Sequence, residues 1–165
     1  MKKILIPTDF SLNSYQTIDY VTELFKNENC EFYFLNTYTH GVAGLSAIEL
    51  LQADDDFFDI PKEESLKQLG KLVQRYTLNS NSQQHTFYAI SESVGLIDGL
   101  KSNIEKIGID LVILTGNAEK PVGKNTQTIL EKIRSCPILI VPPHASMTKG
   151  IHLTIASRFQ RKNQP

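Results

Sequence analysis

The chain has 165 residues, 41% of them hydrophobic and 21% charged, with a formal net charge of −1. That length allows one domain with a sizeable core and at most a short arm. The near-neutral balance excludes a general nucleic-acid binder, which needs an excess of lysine and arginine.

KILIP at residues 3–7 is an apolar run too short for a helix and suited to a strand buried on both faces. It stops at Thr8-Asp9, and Tyr15, Ile18, Val21, Leu24 and Phe25 then recur at helical spacing. EFYFLNTY at 31–38 is aromatic-rich and strand-like. A helix is expected around VAGLSAIELLQA, followed by the solvated loop DDDFFD at 54–59. Pro61 with Glu63 and Glu64 marks a helix start, and Leu66, Leu69, Leu72, Val73 and Tyr76 form its apolar stripe. After the polar loop NSNSQQ, HTFYAIS reads as a strand and SVGLIDGLKSNIEKIG as a helix capped by Ser93. DLVILT is a strand, residues 124–134 a helix, and PILIVPP the closing strand, stopped by its two prolines.

Strands alternating with helices call for a mostly parallel sheet covered on both faces, a doubly wound α/β fold. If its order is 3-2-1-4-5, the ligand crevice lies between the first and fourth strands, beyond their C-terminal ends. The flanking loops are then PTDFS and TGNAEKPVGKNT.

The second loop meets the needs of a phosphate site only loosely. Such a site wants glycines that let backbone N–H groups approach the anion, and a helix N-terminus aimed at it. Gly116, Gly123 and the helix after Lys124 fit that description, but six residues separate the glycines and Asn125 stands where a Walker A loop has a metal-binding hydroxyl. No G-x-G-x-x-G occurs. On these residues alone, an ordinary strand-to-helix turn and a phosphate loop both stay open. Asp9 is open in the same way, as a group that orients its turn or as a ligand contact.

Other constellations are bland. DDDFFD lacks the glycine and spacing of a calcium loop. His40, His85, His144 and His152 show no paired ligand spacing, so no metal is expected. No catalytic motif appears, which points to a non-enzymatic protein. A response-regulator receiver would want paired acids after the first strand and a lysine after the last, where Thr8-Asp9 and Pro142-Pro143 stand. Cys30 and Cys136 have no CxxC or metal spacing and fit buried thiols in a reducing compartment. MKKILIPTDF is too short a run for a signal-peptide core, and no stretch would span a membrane. A cytoplasmic location is expected. After Pro143 come Lys149, Arg158, Arg161 and Lys162 with no acidic residue, so residues 144–165 read as a basic C-terminal arm behind a domain of residues 1–143.

KKILIPTDFS, DLVILTG and GKNTQTILEKIRSCPILIVP together resemble the universal stress protein family, over residues 2–142. The resemblance implies a five-stranded parallel sheet in the order 3-2-1-4-5, binding of ATP by many members, and dimers through the last strand. It places Asp9 where the family contacts the adenine nucleoside and Thr37 near the strand end that lines the base. Gly116 matches the first glycine of the family loop (G-x2-G-x9-G, then Ser or Thr), Gly123 the last, and Asn125-Thr126 an N-T pair that follows it. The departures are Glu119 at the middle glycine, Lys124 at the small hydroxyl position, and an interval about half the family length. Glu119 would repel a phosphate, whereas Lys120 and Lys124 can serve one as point charges. The expectation is a degraded or altered loop, with ATP or AMP as the ligand it would take and no cofactor assigned. The alternative is an ATP- or AMP-binding nucleotide sensor. A homodimer through Pro137–Val141 is expected, because that apolar strand would otherwise leave an uncovered edge. IHLTIASRF at 151–159 resembles the chain's own ILIPTDF, with Phe159 against Phe10 and Arg158 against Asp9. It reads either as the opening strand of a second repeat, as in tandem members, or as an unrelated extended arm.

Overall fold

The computed structural model describes residues 1–39, 48, 55–79, 84–117 and 123–145. Strands β1 (Lys2–Pro7), β2 (Cys30–Thr37), β3 (His85–Glu92), β4 (Leu111–Thr115) and β5 (Ile138–Val141) form one parallel sheet in the order β3-β2-β1-β4-β5. The helices are α1 (Leu12–Leu24), α2 (Asp55–Asn79), α3 (Leu96–Asn103) and α4 (Lys124–Lys132), and α3 runs straight into a π-helical turn (Ile104–Gly108). This is the doubly wound α/β architecture expected from the alternation.

The sheet sorts its side chains by the two-residue period of a strand. Ile4 and Ile6 of β1, Phe32 and Phe34 of β2, and Phe87 of β3 face one layer, with Ile18 and Val21 of α1 and Leu69, Leu72 and Tyr76 of α2. Leu5, Leu35, Val112 and Leu114 face the other, under Leu100, Ile104, Ile129 and Ile133. Ile4, Leu5 and Ile6 are wholly buried, which only a strand covered on both faces allows. Each such side chain contributes about 1.5–3 kcal/mol of transfer free energy. Phe32 and Phe87 stack at 5.4 Å, and the ring of Tyr76 tilts onto Phe34 at 5.7 Å. Both cysteines are buried, and burial pushes both thiols up, away from the reactive thiolate.

Several boundaries differ from expectation. The helix expected at 42–53 falls almost wholly outside the described residues. Helix α2 starts at Asp55 rather than Pro61, so most of DDDFFD is helical and the proline lies inside the helix. Acidic residues suit a first turn, because the helix dipole favours negative charge there. The α2 stripe runs through Ser65, Leu69, Leu72 and Tyr76, and Leu66 is exposed. Ser65 is tolerated in that buried line because its hydroxyl bonds Ser91 Oγ at 2.7 Å. The N-cap of α3 is Gly95, not Ser93. At the end of the π-turn Gly108 takes φ +73°, and the Ile109 amide returns to the Ile104 carbonyl. No helix among the described residues is long and apolar enough to cross a membrane.

Tyr76 gives the first test. Its hydroxyl donates to Asp19 Oδ1, and burial, then Asp19, push its phenol far above the ordinary tyrosine value. Above about pH 10 the unfolded chain ionises while the folded chain keeps the proton, so stability is lost as pH rises. Tyr76→Phe should cost about 1–2 kcal/mol at neutral pH. It should also flatten the loss of stability between about pH 10 and 12 in urea titrations. An alkaline slope identical to wild type would remove Tyr76 as its source.

Candidate functional site

The direction of strand addition reverses between β1 and β4, so the crevice opens where the chain leaves those two strands. Its first wall is the turn after β1. Thr8 is buried and fully engaged. Its amide donates to the Leu35 carbonyl at 2.8 Å, its carbonyl accepts from Asn36 Nδ2 at 2.8 Å, and its hydroxyl accepts from the Phe10 amide and Ser14 Oγ. These bonds hold Phe10 at φ 60°, a left-handed conformation that costs an L-residue about 1–2 kcal/mol. Ser11 then caps α1, its side chain accepting from the Ser14 amide at 3.2 Å. Asp9 is exposed, and its Oδ1 accepts from the Ser11 amide at 3.0 Å. It orients the turn, whereas the cap is Ser11.

The second wall is the end of β4. Gly116 donates its amide to the Val141 carbonyl at 2.7 Å, extending the β4–β5 ladder by one bond. A Cβ there would come to 3.0 Å from that oxygen and 3.3 Å from Pro142 Cα, so a larger residue would push against backbone. The bond occupies the one donor that Gly116 could offer a phosphate. Before it, Thr115 Oγ1 is buried and has no hydrogen-bond partner among the described residues. A buried hydroxyl left unpaired is costly.

Gly123 stands at the N-cap of α4 with φ −68° and open space around a built Cβ, so neither conformation nor room demands glycine there. Gly123 has no side chain to cap α4, and no acidic residue lies in the first turn of the helix. Early amides and the positive end of a helix dipole are the groups that can meet an anion at such a terminus. Lys124 begins the helix, Asn125 is exposed and Thr126 half-buried. Glu119 and Lys120 lie outside the described residues. Thr37 ends β2, and its methyl group packs close over Gly99, where a Cβ would meet it at 2.9 Å.

The topology brings Asp9, Gly116 and the start of α4 to one crevice, while Thr37 lies one strand further out against α3. Sequence reading missed Thr8, Asn36 and Thr115. Their signal was the same in each case, a small polar residue where an apolar strand run ends.

A parallel sheet whose strand order reverses between β1 and β4 defines the doubly wound α/β class. Within it, the fold matches universal stress proteins. UspA from Lactobacillus plantarum superposes with a TM-score of 0.66 at 12% identity, over 85% of this chain and 97% of that one. A universal stress protein family member from Burkholderia pseudomallei gives 0.58 at 18% identity, over 86% and 96%. A universal stress protein family protein from Arabidopsis thaliana, with AMP bound, gives 0.59 at 14% identity, over 91% and 97%. Neither a family model nor a curated protein sequence matches the chain. The likeness is therefore one of fold.

The two glycines should separate in stability measurements. Gly116→Ala should cost about 1–3 kcal/mol, because the new methyl group meets backbone that cannot move cheaply. Gly123→Ala should cost less than about 1 kcal/mol, the ordinary difference at an N-cap. Equal costs in urea unfolding would refute these assignments.

Proposed function

We propose that this chain is a non-enzymatic universal stress protein whose β1–β4 crevice binds an adenine nucleotide through an altered loop. The supporting observation is the start of α4, with a glycine at its N-cap, without an acidic residue in its first turn, and at the switch point of the sheet. The AMP-bound protein from Arabidopsis thaliana with the same fold supports the ligand class. The loop favours few phosphates. Gly116 has already used its amide on Val141, and only six residues separate the two glycines. AMP suits that reduced set of donors better than ATP does. Thr115 Oγ1 is a polar group in the β4 wall that a bound ligand or water would satisfy.

Calorimetry with both nucleotides tests this reading. ATP should bind with a dissociation constant above about 100 μM, less than about 5.5 kcal/mol, and AMP more tightly. Low-micromolar ATP affinity would overturn the altered loop. Asp9→Ala should weaken AMP binding by about 1–3 kcal/mol if its carboxylate bonds the nucleoside. If Asp9 only supports its turn, the melting temperature falls and the affinity stays.

The second reading, a dimeric partner-binding protein working without nucleotide, is favoured by β5. It ends the sheet, pairs only with β4 among the described residues, and is apolar throughout as Ile-Leu-Ile-Val. Such an edge templates another strand, and an isologous partner covers two edges at once. Light scattering should give a dimer, and Leu139→Pro should abolish it. A stable dimeric Leu139→Pro variant would exclude pairing through β5.

A further inference from the structure

β3 closes the sheet at the end opposite β5, and among the described residues it pairs with β2 alone. The Gln84 carbonyl accepts from the Cys30 amide and the Glu92 carbonyl from the Tyr38 amide, both at 3.0 Å. Those two bonds fix the phase of the strand, because backbone groups alternate between its two sides. Thr86, Tyr88 and Ile90 therefore bond β2, and Phe87 and Ala89 turn their N–H and C=O groups outward. Nothing within the strand blunts this edge. Its register with β2 runs unbroken from His85 to Glu92, and it contains no proline and no lysine.

The side chains beside the edge say what would add to it. On the face away from α2, Tyr88 is 40% exposed and stacks on Tyr33 at 4.8 Å, the spacing of neighbouring strands. The outer face of the Tyr88 ring thus points off the sheet, where a further strand would lie. Glu31, in register with the exposed Thr86, accepts the Tyr33 hydroxyl at 2.9 Å and is only 9% exposed. Among the described residues no ammonium or guanidinium pairs with it, and its neighbour Lys3 turns Nζ to the Ile107 carbonyl at 3.0 Å. β2 and β3 together carry Glu31 and Glu92 and no lysine or arginine. A carboxylate beside the open face of a tyrosine attracts a cation.

We infer that the β3 edge receives an extended strand of a partner polypeptide carrying an arginine beside Thr86 and Tyr88. Phe87 and Ala89 bond the partner's backbone, as in other strand additions. The arginine passes over the short Thr86 side chain toward Glu31, with its guanidinium against the Tyr88 ring. A second copy of β3 would bring another tyrosine and no cation, so it meets this edge less well.

Hydrogen exchange on the full-length chain tests this, with acetyl-Val-Thr-Arg-Thr-Val-amide as the probe and its glutamate analogue as the control. Without peptide, the Phe87 and Ala89 amides should exchange faster than those of Thr86, Tyr88 and Ile90. The arginine peptide at about 5 mM should slow Phe87 and Ala89 at least about three-fold, and the glutamate peptide should not. Tyr88→Ala and Glu31→Gln should each reduce that protection. No slowing by the arginine peptide would overturn the proposal, as would equal slowing by both peptides or an unchanged effect in both variants. Phe87 and Ala89 amides already as slow as their neighbours at low protein concentration would assign the edge to this chain itself. Protection that grows with protein concentration alone would assign it to a second copy, and either result overturns the partner strand.

Discussion

Everything in this domain is hung on β1. It is the middle strand, bonded to β2 on one side and β4 on the other, and its side chains enter both core layers. A strand so enclosed has no polar position along Ile4, Leu5 and Ile6, and its first polar side chain after them, Thr8, is also buried. Thr8 must therefore find partners within the protein. The partners it finds, Leu35, Asn36, Phe10 and Ser14, fix the turn that starts α1 and forms one wall of the crevice. The left-handed backbone at Phe10 is held by this network rather than by its own preference.

The opposite wall follows a different rule. There the end of β4 is held to the end of β5, and Gly116 is the residue that allows the approach. The glycine that most resembles a phosphate contact thus serves the sheet. At the start of α4 the helix dipole needs no special residue to act. The Gly116 amide is thus committed to the sheet.

The two sides of α1 divide the molecule. Its N-terminus belongs to the crevice through Ser11, and its middle enters the core through Ile18 and Val21. Asp19 is shared with α2, where Tyr76 donates to it and Arg75 lies 3.8 Å away. The Arg75 guanidinium rests over the rings of Tyr15 and Tyr76, so the α1–α2 contact is polar at its rim and aromatic beneath.

The strands and their alternation with helices were legible in the sequence, because a run such as KILIP or LVILT has one stable environment, a sheet buried on both faces. The position of the crevice followed from that alternation and the strand order. Boundaries set by competition between nearby groups were not legible. Pro61 reads locally as a helix start, yet α2 passes through it, and Ser65 rather than Leu66 shares the buried line of Leu69, Leu72 and Tyr76, where Ser91 of another element gives its hydroxyl a partner. The same holds at the site. Sequence spacing presented Gly116 and Gly123 as equivalent, but whether an amide is available depends on what lies across the sheet. Val141 takes the first, and nothing crowds the second. Local pattern determined what kind of surface each segment needs, and contacts between segments far apart in the chain decided which polar groups remain for a ligand.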